Sequence, residues 1–146
     1  MADQRQLAIL TSGKTLWNKW RRDYSEVQAI EPDLHAADLH GVDLRGFDLH
    51  GADLTEANLQ DTDLRGVDLH LADIRNANLR SADLSDADCS KALLNWTDLS
   101  DATLCRVNLQ EADLRKANLL GADMEGAMLN RARRDVAPLL ELSLLK

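Results

Sequence analysis

The sequence predicts an all-β solenoid, a chain that turns a corner every five residues and stacks its turns into a rod. Three observations predict it. Leucine recurs at every fifth position, as in "HGADLTEANLQDTDLRGVDLH" at residues 50–70, and this frame runs from Leu34 to Leu129 without an insertion or deletion. Of the twenty centres, seventeen are Leu and the others are the apolar Ile74, Cys89 and Met124. Two residues before each centre sits a small residue, usually Ala, and immediately before it sits Asp in thirteen repeats and Asn in four. Period five fits neither regular element: it advances an α-helix by about 500° and puts successive residues on opposite faces of a strand. Short extended sides joined by tight turns accommodate it, with the small residue and the centre pointing in and the other three positions pointing out.

The shaft of repeats spans residues 32–131. Each buried Leu contributes roughly 1.5–3 kcal/mol, and in a solenoid such terms add over neighbouring coils. The small residue follows from the narrow interior, which has little room beside stacked Leu. Phe47 breaks that rule, and is expected to pack against an N-terminal cap.

Open coil ends expose unpaired edges and Leu, so both ends need covers. Residues 1–31 lack the repeat and form the N-terminal cap. Asp3 to Thr11 reads as a helix, Gly13 breaks it, and Lys14 to Tyr24 reads as a second helix with Leu16, Trp17 and Trp20 on one face. The two Trp are read as a hydrophobic lid. Residues 132–146 also leave the frame; Pro138 suits the first turn of a short C-terminal helix. Leu139, Leu140, Leu142, Leu144 and Leu145 are too many apolar groups for one narrow coil end, so this segment is expected to meet a second subunit.

The motifs "ADLTEANLQD" (52–61) and "ADLRKANLLG" (112–121) resemble the pentapeptide-repeat family, whose signature is A(D/N)LXX. The resemblance implies a right-handed, four-sided (quadrilateral) β-helix, hence about five coils of twenty residues each. "WNKWR" (17–21) followed by "PDL" (32–34) resembles the lead-in of bacterial, often cyanobacterial, members. Tail-to-tail dimers through C-terminal segments occur in this family, which also points to a homodimer.

Composition narrows the function. The 146 residues carry a formal charge of −8, which argues against a direct nucleic-acid or anionic-membrane binder. The first apolar run, Leu7 to Leu10, is too short for a membrane span. Two cysteines form no disulfide framework, and a cytoplasmic setting is expected.

The acidity invites a second reading, because some members of the resembled family are acidic rods that mimic DNA and act on DNA gyrase. Sorting charges by repeat position weakens it. Thirteen of the acids are the Asp before a centre, where a short side chain can bond backbone N–H groups at the turn. The two outermost positions carry six acids and nine bases. A further expectation concerns the columns Asp43, Asp63, Asp83 and Asp48, Asp68, Asp88. Like charges about 5 Å apart repel by roughly 3 kcal/mol at an effective dielectric near 20, so raised Asp pKa values and stability rising toward pH 5 are expected.

No constellation of catalytic, cofactor-binding or metal-ligating residues emerges. His35, His40, His50 and His70 all follow a centre on the outside, and only His50 and His70 align. Cys89 is at a buried centre and Cys105 points outward without a His partner. The candidate contact site is Trp96, in a projecting position where polar residues are usual. Leu93 replaces the Asp of that side, and Arg75, Arg115 and Lys116 surround the pair. An aromatic rimmed by Arg is a typical hot spot of protein interfaces. The sequence therefore reads as a non-catalytic interaction scaffold with a protein partner, with a DNA mimic acting on gyrase as the alternative.

Overall fold

The computed structural model describes residues 1–24 and 31–135. The expected C-terminal helix, with Leu139, Leu140, Leu142, Leu144 and Leu145, lies outside the described residues.

Parallel backbone bridges join residues twenty apart, from Asp33↔Asp53 to Asp113↔Arg133. With five residues to a side, twenty to a coil means four sides. The bridge residue is always the one before a centre. The sides contribute isolated bridges rather than longer strands, because a corner every five residues leaves one position flanked by extended backbone on both sides. Each side is bonded along the rod in both directions: Asp53 N–H donates to the Pro32 carbonyl at 2.8 Å, and Leu54 N–H to the Asp73 carbonyl at 2.8 Å.

The interior is a ladder of Leu and small residues. Leu34, Leu54, Ile74 and Ala72 are wholly buried, and the other sides repeat the pattern. Two small positions hold Thr, and both hydroxyls find carbonyls in the coil below: Thr62 donates to Leu39 and Thr97 to Ile74, each at 2.9 Å. A buried polar atom is tolerated there because it is bonded.

Every corner uses the left-handed backbone region. The second residue after each centre has φ between +56° and +75°, at six Gly and fourteen other residues. The next amide donates to the centre's carbonyl, as Ala37 does to Leu34 at 3.0 Å. Positive φ at the third residue of such a turn is the requirement of a type II turn.

The residue before the centre stitches the other half of the corner. All seventeen Asp and Asn at this position accept, through Oδ1, the N–H two residues on, at 2.9–3.3 Å. These carboxylates are therefore bonded inside their own repeats, which is the role expected for them.

The raised pKa values expected in the Asp columns are overturned at Asp43 and Asp63. Arg65 bonding to Asp63, and Arg45 bonding to Asp43, hold both carboxyls below the usual range. Arg115 does the same for Asp113, and the Ser100 hydroxyl for Asp98. At Asp73 burial favours the neutral form, but Arg75 and its amide outweigh it. Hydrogen bonds that favour the charged form win over like-charge repulsion.

Two helices cover the start of the rod: α1 (Gln4–Thr11) and α2 (Lys14–Tyr24). Asp3 caps α1, accepting from the N–H groups of Arg5 and Gln6 at 2.8 and 3.2 Å. Gly13, at φ +113°, makes the break between them. Trp17 is fully buried with Leu10 and Phe47 in one apolar cluster that continues into the coil ladder. Leu16, expected on the same buried face, is instead 55% exposed. The coil end is narrow, and Trp17 alone of the two reaches over it.

The cap also supplies hydrogen bonds that the first coil lacks from below. Trp17 Nε1 donates to the Asp48 carbonyl at 2.6 Å. Asn18 donates to the Gly46 carbonyl at 3.1 Å and accepts from Asp48 N–H at 2.8 Å. Arg21 donates to the His50 carbonyl. Gln6 Oε1 accepts from Asp33 N–H at 2.6 Å, and the Asp33 carbonyl accepts from Asp3 N–H at 2.9 Å. The lead-in is thus more than a greasy lid: it replaces a missing coil edge.

Candidate functional site

The side running from Lys91 to Trp96, "KALLNW", departs most from the repeat. Ala92 and Leu94 point inward and are buried, which turns Leu93 outward. Leu93 is 39% exposed and Trp96 64% exposed. Trp96 occupies the left-handed corner at φ +63°, and the buried Thr97 hydroxyl anchors the residue after it. The aromatic is therefore held out by a fixed backbone.

Arg75 lies one coil below this side and Arg115 one coil above, and each folds back on its own repeat. Arg75 Nε and Nη2 meet the two Asp73 oxygens at 2.8 and 2.7 Å; Arg115 grips Asp113 at 2.9 and 2.7 Å. Asp113 is only 6% exposed and also receives the Asn95 side chain. Arg133 comes within 3.8 Å of it. Lys116 holds the same corner one coil above Trp96, and its N–H donates to the Asp135 carboxylate at 2.7 Å. Among the described residues, the ammonium groups of Lys91 and Lys116 make no ion pair, and Trp96 has no stacked ring or cation over it.

The sequence grouped Trp96, Leu93, Arg75, Arg115 and Lys116; the structure places Leu93 and Trp96 on this side, Arg75 in the coil below, and Arg115 and Lys116 in the coil above. It did not reveal that the two Arg are tied down. The signal was present as Asp-Leu-Arg at 43–45, 63–65 and 113–115, and Asp-Ile-Arg at 73–75. All four form the same paired contact. Ser and Thr at that position use the same device: Thr55, Ser85, Ser90 and Ser100 donate to the Asp two residues earlier at 2.6 Å.

The histidines enter these networks. His50 and His70 stack with ring centroids 5.2 Å apart. His70 Nδ1 lies 2.8 Å from Ser90 Oγ, whose proton goes to Asp88 at 2.6 Å. The Ser90 hydroxyl thus joins His70 and Asp88 in one hydrogen-bonded chain on the outside of the rod. Among the described residues no three His, Cys, Asp or Glu side chains converge as metal ligands. Burial pushes the Cys89 thiol up to about 12. Desolvation, then Asp123, raises that of Cys105. Both changes disfavour the reactive thiolate. A groove of about 400 Å³ lies on the outer face of the cap helices, beside Ile9, Leu16, Trp20 and Tyr24.

A four-sided stack of five-residue sides, filled with Leu and Ala and presenting flat outer faces, defines a repeat solenoid. Pentapeptide repeats match residues 33–70, 72–101 and 97–133, in eight copies. The chain belongs to the pentapeptide-repeat family. It is similar to a pentapeptide-repeat protein of the Arabidopsis thaliana thylakoid lumen, with 32% identity over 68% of this chain and 70% of that one and a TM-score of 0.65. HetL, a pentapeptide-repeat protein involved in heterocyst differentiation regulation in the cyanobacterium Nostoc, is 30% identical over 70% of this chain and 57% of its own, with a TM-score of 0.41. QnrB1, a plasmid-mediated fluoroquinolone resistance protein, is 27% identical over 70% of this chain and 60% of its own, with a TM-score of 0.27. No match among curated proteins was found.

Proposed function

We propose that the protein is a non-catalytic interaction scaffold, with right-handed coils as the family resemblance implies, working in the cytoplasm on a protein partner. The observation that carries this reading is Trp96, an exposed aromatic held outward by fixed backbone at a corner of the rod, with the exposed Leu93 on the same side. Interfaces concentrate their energy in such anchors. Support also comes from the filled interior, which offers work to the faces rather than to a cavity. The free thiols of Cys89 and Cys105 suit a reducing compartment.

A DNA mimic must present carboxylates to its target. Here the ladder Asp are engaged by their own amides, and four of them by their own Arg. Adding the protein to a gyrase supercoiling reaction is expected to leave the rate unchanged; inhibition or protection would favour the mimic. We also propose a homodimer through the C-terminal segment, supported by the half-exposed Leu119 and Leu129 on the last coil. The scaffold reading is tested by capture from a native extract with the parent and Trp96→Ala side by side. A partner held by the first and lost by the second is expected; identical captures would overturn the role of Trp96.

A further inference from the structure

We propose that the Lys91–Trp96 side docks an acidic segment of a partner protein, whose carboxylate takes the place of the repeat's missing Asp. This deepens the scaffold reading and rests on it. Seventeen of the twenty repeats carry their own side-chain acceptor for the N–H two residues on; Leu93, Thr103 and Met128 replace it in the other three, and of these Leu93 shares its side with an exposed Trp. Among the described residues the half-buried Asn95 N–H has no acceptor, while Arg75 N–H below and Arg115 N–H above each have one. The Asn95 side chain is directed to Asp113, so it does not fill the gap.

The surroundings choose the sign of the ligand. Lys91 at one corner and Lys116 at the other bracket the strip, both unpaired among the described residues, on a chain whose net charge is −8. The neighbouring carboxylates of Asp73 and Asp113 are paired with Arg75 and Arg115, and that of Asp135 accepts the Lys116 N–H. Leu93 and Trp96 supply the apolar part. The fitting partner is an extended segment with Asp or Glu next to an apolar residue: the carboxylate on Asn95 N–H between the lysines, the apolar group on Trp96.

The decisive variant is Leu93→Asp. It restores the repeat motif, gives Asn95 N–H an acceptor of its own, and sets a carboxylate where the partner's would sit. Random twelve-residue peptides are panned on the full chain, and the winners titrated against the parent, Leu93→Asp, Trp96→Ala and Lys91→Glu/Lys116→Glu. Winners rich in Asp and Glu beside an apolar residue are expected. Leu93→Asp should weaken them more than about tenfold while its melting temperature stays level or rises. Trp96→Ala should weaken them about thirtyfold or more. Winners without acidic bias, or acidic winners that bind Leu93→Asp and the charge reversal as well as the parent, overturn the docking strip and leave the scaffold reading intact. Self-association abolished by Leu93→Asp would assign the strip to a second copy and overturn it too. Panning without any winner also overturns it, and the scaffold reading then rests on extract capture alone.

Discussion

The two ends of the rod are built differently. At the start, Leu34, Leu39, Leu44 and Leu49 are as buried as any centre in the middle. Trp17 closes the apolar column, and Gln6, Asn18 and Arg21 bond the open edge. At the far end, Leu119, Leu129, Ala122 and Ala127 are only half-buried. Repetition makes a rod but does not end one. Each coil completes its neighbour, so a terminal coil needs a partner that the repeat cannot encode.

The largest expected effect breaks the completed end. Trp17→Ala removes a fully buried indole and its bond to the Asp48 carbonyl. A loss of about 3–5 kcal/mol is expected for such a truncation. Urea unfolding followed by circular dichroism measures it. A loss under about 1 kcal/mol would mean that the cap merely leans on the first coil.

The next test compares centres. Leu64→Ala, in the middle, is expected to cost about 2–5 kcal/mol. In a lone chain Leu129→Ala should cost clearly less, because its side chain is only partly buried there. Melting both at two protein concentrations sharpens the contrast. In the proposed homodimer the cost of Leu129→Ala approaches that of Leu64→Ala and grows with concentration; a small cost independent of concentration would count against a second copy on that end.

How much of this was legible in sequence follows from the same contrast. The shaft was readable because period five admits one packing: small residue and centre inward, the rest outward. The helices of the cap were readable from Gly13 and the spacing of their apolar residues. What Asn18 and Arg21 do was not, since nothing local to them indicates that carbonyls of Gly46 and His50 await. The candidate site was half legible. An outward Trp is a departure anyone can count, but the clamped Arg75 and Arg115 required seeing that a residue two after Asp returns to it. Leu16 misled because helical periodicity gives a face, not the width of what that face meets.

The carboxylates give a test with a sign. Asp43, Asp63, Asp73, Asp98 and Asp113 all titrate below the ordinary Asp value of about 3.9 when folded. The unfolded chain thus binds more protons near and below that value. This stabilisation is fully present above it and is lost as pH falls through the folded values. The melting temperature is expected to hold between pH 7 and 5 and to fall below about pH 4. A rise from pH 7 to pH 5 would restore the repulsion between stacked Asp as the governing effect. Asp113, clamped in the last coil, ties the acid sensitivity to the end that lacks a described cap, so Asp113→Asn should flatten the fall.

The smallest effects lie at the corners, and they separate ends from middle again. Gly occupies the left-handed position at 41, 46 and 51 in the first coil, at 66 in the second and at 121 and 126 in the last, but at none of the eight corners from Asn76 to Glu111. A side chain there costs roughly 1–2 kcal/mol of backbone strain, and it persists where coils on both sides over-determine the turn. At Gly51 an added Cβ would meet nothing within 4 Å, so Gly51→Ala isolates the backbone term and should destabilise by about 1 kcal/mol. Ser81→Gly, in the middle, relieves the same strain but loosens the unfolded chain. Its net gain should stay below about 1 kcal/mol, read as a small upward shift in urea midpoint. If Ser81→Gly instead destabilises while Gly51→Ala is neutral, strain does not explain where Gly sits, and the end coils hold Gly for a contact rather than for φ.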